Sequence, residues 1–167
     1  MNTNNKMIIG LGGCGVQFIE QIKLKENNNF DLIMISSKDH IEFKFFENKI
    51  YIDTNLVKNI KKIIEDKDEI YIVNGLGGDS CQYLNIIVDE LLKQEVSITI
   101  ICTKPFKWEG EERENIASNI LRELEPLNIN VKTYENDDIK TYISEDEDFN
   151  VGFTIQFDII YKEIQKD

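Results

Sequence analysis

Two glycine-rich segments constrain the fold of this chain more than any other feature. Residues 10–15 (GLGGCG) follow the apolar run 7–9, and residues 75–80 (GLGGDS) follow the apolar run 69–73. In both places a helical pattern comes next, so each segment joins a predicted strand to a helix. Glycines in such a turn let the backbone approach a ligand closely, and the N–H groups at the start of the helix attract anions. The two segments therefore predict a phosphate-binding edge.

The apolar residues alternate between short runs and helical stripes along the whole chain. This pattern predicts strands at residues 7–9, 32–35, 50–52, 69–73, 97–102 and 130–134. It predicts helices at residues 16–25, 56–65, 111–124, 137–142 and 154–164, and one from the second glycine-rich segment to about residue 93. The alternation predicts an α/β fold with a doubly wound, mostly parallel six-stranded sheet and right-handed crossovers. Ligands of such sheets bind beyond the carboxyl ends of the strands.

Three local signals complete this prediction. Thr54 precedes the helix at 56–65 and is a candidate N-cap. The acidic residues 145–148 are predicted to form an exposed turn. His40, the single histidine, has no nucleophile or carboxylate motif around it and is predicted to lie in a surface loop.

The composition excludes whole classes of partner. With 31 acidic and 19 basic residues the net charge is −12, which opposes binding to nucleic acid and to anionic membrane surfaces. No run approaches the roughly 18 apolar residues that a membrane-spanning helix needs. Cys14, Cys81 and Cys102 have neither disulfide nor metal-site spacing, which favours a reducing, cytoplasmic location. With 167 residues, 41% of them hydrophobic, we expect a single domain over residues 1–167.

The first glycine-rich segment also satisfies a dinucleotide-binding pattern, with glycines at positions 10, 12 and 15. A dinucleotide site would need an acid for the ribose, or a basic residue for a 2′-phosphate, at the end of the second strand. Residues 36–38 there read Ser-Ser-Lys, so an NADP-dependent oxidoreductase stays open as an alternative. That alternative explains neither the second glycine-rich segment nor residues 103–110 (TKPFKWEG).

In their order and spacing, the two glycine-rich segments and residues 103–110 resemble the nucleotide domain of the FtsZ/tubulin family. Residues 12–17 (GGCGVQ) are similar to the tubulin form of its first phosphate loop, and residues 103–106 (TKPF) are similar to the bacterial FtsZ form of a later loop. The resemblance covers nearly the whole chain. It implies a Rossmann-like GTPase-domain topology that binds GDP or GTP, with Mg²⁺ as an accompanying ion.

The resemblance assigns residues to three parts of a nucleotide site. For the phosphates it implies Gly12, Gly13, Cys14, Gly15, Gly77, Gly78 and Ser80. For the ribose it implies Glu109 and Arg113, and for the guanine base it implies Gln17, Asn136, Phe153 and Asp158. A carboxylate at position 158 can accept from guanine N1–H and N2–H₂, which rejects adenine. No catalytic residue and no metal ligand is assigned.

The phosphate half departs from the family pattern. Residues 77–83 read GGDSCQY, where the family has a run of glycines and threonines, and Asp79 places a negative charge beside the expected phosphates. That charge opposes the field of the helix N-terminus, so we expect weakened phosphate binding. The segment 36–56 also lacks the family's loop around the terminal phosphate. Asp79 can be interpreted as a helix cap or as a cation ligand, and the helix cap is the simpler interpretation. Cys14 and Cys81 can be interpreted as small packing residues or as a redox pair, and packing is the simpler interpretation.

Family members continue into a second domain, which supplies the acids that activate water on a neighbouring subunit's nucleotide. Because these 167 residues match only the first domain, we expect them to bind guanine nucleotide without competent GTP hydrolysis on their own. The resemblance implies a role in regulating a cytoskeletal or cell-division filament through a full-length FtsZ/tubulin-like homologue. The alternative within this family is a pseudo-GTPase, a nucleotide-free interaction module that acts through its surface.

Overall fold

The computed structural model describes residues 5–25, 28–37 and 41–167. Its centre is one six-stranded sheet in which every pairing is parallel, with the strand order β3-β2-β1-β4-β5-β6. The strands are β1 (Lys6–Leu11), β2 (Asp31–Ser36), β3 (Lys49–Tyr51), β4 (Glu69–Gly75), β5 (Ser97–Lys104) and β6 (Asn130–Glu135). The predicted doubly wound α/β fold is confirmed.

Helices cover both faces of the sheet. They are α1 (Gly12–Ile22), α2 (Ile41–Phe45), α3 (Leu56–Ile64), α4 (Leu84–Leu91), α5 (Glu111–Leu124) and α6 (Phe149–Ile164). Short 3₁₀ helices span Asp79–Tyr83, Lys107–Glu109, Glu125–Leu127 and Asn136–Thr141. Buried side chains of α1, α2 and α6 share one core cluster, and those of α3, α4 and α5 share the other. No helix in the described ranges is both long and apolar enough to cross a membrane.

The two central strands show why the apolar runs are nearly continuous. In β1, Ile8 packs into the core on the α1 side while Ile9 packs into the core on the α3 side. In β4, Tyr71 packs into the core on the α1 side and Ile72 packs into the core on the α3 side. Successive strand residues point to opposite faces, and both faces of a parallel sheet are covered, so the central positions of both strands are apolar, while the polar residues Lys6, Glu69 and Asn74 lie at or near the strand ends. The hydrophobic effect thus fixes β1 and β4 side by side, with their carboxyl ends at one edge.

Several element boundaries differ from the sequence prediction. The helix predicted from residue 16 begins at Gly12, because the glycines themselves form the first turn of α1. The helix predicted from residue 154 begins at Phe149, where the Asp148 carboxylate accepts a hydrogen bond from Asn150 N at 2.8 Å. Part of the predicted acidic turn is therefore a helix cap. The helix predicted after the second glycine-rich segment is divided into a 3₁₀ turn and α4.

Other differences arise around α2 and α3. The sequence pattern did not predict α2, whose Phe43 is fully buried. The prediction of Thr54 as N-cap was wrong, because Asn55 occupies that position and its backbone N–H is held by the Asp53 carboxylate. The predictions for Lys38 and His40 concern positions outside the described residues.

Candidate functional site

A cavity of about 430 Å³ opens at the carboxyl ends of β1, β4, β5 and β6. This volume is typical of small-molecule sites. Both glycine-rich segments and the loop after β5 line it. Ten of the residues assigned from the sequence line the cavity: Gly12, Gly13, Cys14, Gln17, Gly78, Ser80, Glu109, Arg113, Asn136 and Phe153. The other three, Gly15, Gly77 and Asp158, lie outside its lining.

The first glycine-rich segment is packed too closely to admit side chains at several positions. A Cβ at Gly15 would lie 2.5 Å from Val73 O, so this glycine packs α1 against the sheet and does not face the cavity. Gly12 has φ of +69°, and a Cβ there would lie 2.7 Å from Ser80 Cβ. The two glycine-rich segments are therefore in direct contact, and their backbones converge on one space.

The second glycine-rich segment packs against the first turn of α5. Gly77 has φ of +88°, and a Cβ there would lie 3.1 Å from Arg113 Cβ. Gly78 is the N-cap of the 3₁₀ helix and Asp79 is its first residue, so Asp79 is not the cap that the sequence analysis favoured. Asp79 and Ser80 both line the cavity. A carboxylate is therefore present in the expected phosphate half.

A charged pair lies on the α5 side of the cavity. Arg113 donates to Glu109 Oε2 at 2.7 Å, and the backbone N–H of Phe106 donates to Glu109 Oε1 at 2.8 Å. The carboxylate of Glu109 is thereby held in one orientation at the cavity wall. The acids and bases that line the cavity are Asp79, Glu109 and Arg113, so its formal charge is −1.

Amide and aromatic side chains line the side of the cavity near α6. Gln17 and Asn136 both reach it, and the Oδ1 atom of Asn136 is buried without a hydrogen-bond partner among the described residues. An unpaired buried acceptor is costly, so this oxygen is suited to an N–H group of a ligand. Phe153 lies beside it, with its ring centroid 6.0 Å from that of Phe106 and 6.3 Å from that of Phe157.

Asp158 is engaged elsewhere. Its Oδ1 accepts from Gln21 Nε2 at 2.8 Å and from Lys25 Nζ at 2.7 Å. Partial burial disfavours the charged carboxylate, but the hydrogen bonds from Lys25 and Gln21 outweigh it, and the pKa of Asp158 lies below its usual range. Gln21, which donates to Asp158, lies four residues after Gln17 on α1, and Gln17 lines the cavity. Asp158 is therefore about one helical turn away from the cavity wall.

Comparison with known proteins gives a consistent result. No family model matches the chain. FtsZ from Helicobacter pylori is 35% identical over 81 residues, which are 48% of this chain and 21% of that protein. FtsZ from Pseudomonas aeruginosa is 26% identical over 104 residues, 62% of this chain and 26% of that protein. Among solved structures, an FtsZ dimer from M. jannaschii matches 92% of this chain and 51% of its own, with a TM-score of 0.77 and 18% identity.

CetZ from Methanosaeta thermophila matches 96% of this chain and 54% of its own, with a TM-score of 0.73 and 16% identity. Part of this chain is similar in sequence to FtsZ. The structural matches establish that it has the fold of the FtsZ and CetZ nucleotide domains. The matched segment spans only about a fifth to a quarter of the length of those two curated relatives.

Asn74 lines the cavity, and the sequence analysis did not single it out. Asn74 is almost fully buried at the end of β4, and its Nδ2 donates to Leu11 O at 3.0 Å. A polar residue that ends an otherwise apolar strand run was the available signal. Trp108 is 68% exposed and stacks on the buried Phe106, with ring centroids 5.1 Å apart. Phe106 therefore packs inward, while Trp108 presents its other face to solvent.

All three cysteines are free; Cys81 and Cys102 are buried, and Cys14 is partly buried at the cavity wall. Burial raises the pKa of the Cys102 thiol to about 12, and it also raises the pKa values of Cys14 and Cys81. Cys14 Sγ lies 3.5 Å from Thr103 Oγ1, and the Cys81 thiol donates to Gly78 O at 2.9 Å. These contacts favour the packing interpretation over a redox pair. Across the described residues, no cluster of three or more His, Cys, Asp or Glu side chains is placed to hold a metal.

We expect the three thiols of the native protein to react with a disulfide reagent at about pH 7.5 at least about tenfold more slowly than in the unfolded protein. The reason is that the thiolate is the reacting species and burial suppresses it. The measurement is the absorbance time course with and without denaturant, at equal thiol concentration. Rapid labelling of Cys14 in the native protein would contradict the packing role.

Proposed function

We propose that this cavity is a guanine-nucleotide site that binds GDP or GTP. One observation carries the proposal: a single cavity unites residues from separate parts of the chain that the resemblance assigns to phosphates, ribose and base. The glycine-rich segments follow β1 and β4, Glu109 and Arg113 follow β5, and Asn136 follows β6. Four carboxyl ends of parallel strands converge there, which is where ligands of this architecture bind.

The residues present fit a nucleotide in three parts. Backbone N–H groups of the two glycine-rich segments, with the N-terminus of α1, suit the phosphates. Glu109, held by Arg113, presents a fixed acceptor to ribose hydroxyls. Phe153 offers an apolar face to the base, and the unpaired Oδ1 of Asn136 offers an acceptor to a ring N–H. Mg²⁺ would accompany the phosphates and offset part of their charge.

For Asp158 to select guanine, its carboxylate must give up a hydrogen bond within the protein and accept one from the base. Its carboxylate is bound by Lys25 and Gln21, so guanine N1–H and N2–H₂ must replace at least one of these donors. We expect Asp158→Ala to weaken GDP binding about tenfold and to leave ADP binding unchanged, since a hydrogen bond to a charged group contributes roughly 1.5–3 kcal/mol. Lys25→Met is the matched variant: it frees the carboxylate and should strengthen GDP binding.

The deciding experiment is calorimetric titration of nucleotide-free protein with GDP, GTP, ADP and NADP, each with and without Mg²⁺. Guanine-selective binding that Asp158→Ala removes would support the proposal. Absence of heat with every nucleotide at millimolar concentration would overturn it and leave the nucleotide-free interaction module. Equal binding of GDP and NADP, insensitive to Glu109→Gln, would favour the oxidoreductase alternative.

We further infer that these 167 residues bind GTP without hydrolysing it on their own, because the resemblance assigns the water-activating acids to a second domain. The proposed setting is the cytoplasm, with a full-length FtsZ/tubulin-like homologue as the partner whose filament is regulated. Release of inorganic phosphate from Mg²⁺–GTP by the chain alone would contradict the first inference. Phosphate release by a mixture with such a homologue that differs from the release by the homologue alone would support the proposed partner.

A further inference from the structure

The half of the cavity assigned to the phosphates contains a carboxylate and an unpaired amide oxygen. Asp79 lines this half, and so does Asn74, which is 1% exposed. A Cβ at Gly12 would lie 3.8 Å from Asn74 Nδ2, so the amide lies beside the first glycine-rich segment. Its Oδ1 atom is buried without a hydrogen-bond partner among the described residues. Phosphate oxygens are acceptors, so neither the carboxylate nor this oxygen can donate to them.

Basic side chains are scarce in the same lining. It contains no lysine, and its one arginine, Arg113, is bound to Glu109 Oε2 at 2.7 Å. The two charges of this pair cancel. The donors left for a phosphate group are backbone N–H groups at the start of α1 and hydroxyl groups such as that of Ser80.

The charges of this half give a phosphate group little net attraction. A helix N-terminus is equivalent to roughly half a positive charge, whereas the carboxylate of Asp79 carries a full negative one. The chain as a whole carries a net charge of −12, which repels an approaching anion. Each phosphate group therefore brings repulsion together with its hydrogen bonds. An uncharged nucleoside avoids this repulsion.

The half assigned to ribose and base is ordered before a ligand arrives. The Glu109 carboxylate is held by Arg113 at 2.7 Å and by the backbone N–H of Phe106 at 2.8 Å. Phe153 packs against Phe106, with ring centroids 6.0 Å apart, and Asn136 contributes its unpaired Oδ1. Because these groups are already positioned, a ligand loses little free energy in ordering them.

Trp108 adds apolar surface to this half. It lines the cavity and is 68% exposed, and its ring stacks on Phe106 with centroids 5.1 Å apart and an interplanar angle of 20°. The stack orients the indole while much of the ring stays uncovered. Trp108 directly precedes Glu109, so a sugar bound to Glu109 lies within reach of the indole. Covering the ring removes apolar area from water, which favours binding.

We propose that the protein recognises its ligand as a nucleoside. Ribose and base supply the affinity, phosphate groups without Mg²⁺ add little, and guanosine itself is therefore a ligand. This inference rests on the proposed guanine-nucleotide function and specifies which part of the ligand the protein recognises. GDP and GTP bind through the same ribose and base contacts, so the chain responds to guanosine compounds with little regard to their number of phosphates.

Calorimetric titration with guanosine, GMP and GDP, each with a chelator present, tests the proposal. We expect the three dissociation constants to agree within about tenfold, because the phosphates add hydrogen bonds and repulsion together. GDP binding that is tighter than guanosine binding by more than this factor would overturn the inference and leave the proposed function intact. Absence of binding by all three ligands would overturn both.

Two substitutions separate the two halves of the cavity. Trp108→Ala should weaken guanosine and GDP binding by the same factor of about ten, the size expected when an aromatic ring loses its contact with a ligand. Asp79→Asn should strengthen GDP binding without Mg²⁺ and leave guanosine binding unchanged, since guanosine has no charge to repel. An effect of Trp108→Ala on GDP alone, or an equal effect of Asp79→Asn on both ligands, would contradict the proposal.

Phe149→Ala is the matched control for Trp108→Ala. Phe149 is 43% exposed and its ring also contacts Phe106, with centroids 5.7 Å apart, but it lies outside the lining of the cavity. It should leave both affinities unchanged, and circular dichroism verifies that each variant is folded. Trp108 is the single tryptophan of the chain, so its fluorescence gives a second measurement. Guanosine binding that leaves this fluorescence unchanged would refute the contact with Trp108.

Discussion

Alanine in place of Gly10 is expected to lower the free energy of unfolding by about 3 kcal/mol or more, one of the largest effects a single methyl group can have. A Cβ at this position would lie 2.2 Å from Gly15 O, 2.6 Å from Gly15 C and 2.6 Å from Ile19 Cγ1. Two of these atoms belong to the backbone of α1, so relief requires the helix to move away from the sheet. The measurement is urea unfolding followed by circular dichroism.

Gly78→Ala is the matched control. Nothing lies within 4 Å of a Cβ at Gly78, and its φ of −92° is accessible to alanine. Its unfolding free energy should stay within about 0.5 kcal/mol of the native value. If Gly10→Ala unfolded at the native urea concentration, the close packing of α1 on β1 would be refuted.

Replacing Asp79 with asparagine is expected to strengthen GTP binding about tenfold in the absence of Mg²⁺. The substitution keeps the shape of the side chain and removes one negative charge from the expected phosphate half of the cavity. Two unit charges about 6 Å apart interact by roughly 0.7 kcal/mol in water, and a triphosphate carries several charges, so the effect reaches the tenfold range. Calorimetric dissociation constants of the two proteins, with a chelator present, give the measurement.

Asp146→Asn makes the same chemical change in the exposed acidic turn and should leave GTP affinity unchanged. Weaker binding of Mg²⁺–GTP by Asp79→Asn would show that the carboxylate holds the cation, and the expectation of phosphate repulsion would then be wrong. Absence of binding by both proteins would count against the proposed nucleotide site itself.

The fold was predictable because its evidence is local. In β1 and β4 the apolar residues pack alternately on the two faces of the sheet, and such runs separated by helical stripes permit few architectures. The errors occur where packing sets the boundary. The start of α1 at Gly12 depends on its contact with Ser80, and α2 depends on a pocket for Phe43 that the sequence alone does not reveal.

The candidate site was predictable to a smaller extent. Its glycines are motif residues whose spacing is visible in the sequence, and Glu109 and Arg113 are four residues apart on one turn. The role of Asp158 was less predictable, because the orientation of its carboxylate depends on a lysine that is near it only in the folded chain. Lys25 precedes it by more than a hundred residues, and no local pattern connects the two.

The contact between Gly12 and Ser80 bears on how the chain reaches its folded state. These residues are far apart in the sequence, so the edge where the glycine-rich segments meet is absent until β1 and β4 have paired across a long loop. The cavity thus belongs to the native state and not to any local fragment. A ligand that binds there would stabilise only the folded chain, and its concentration would set the thermal midpoint through mass action.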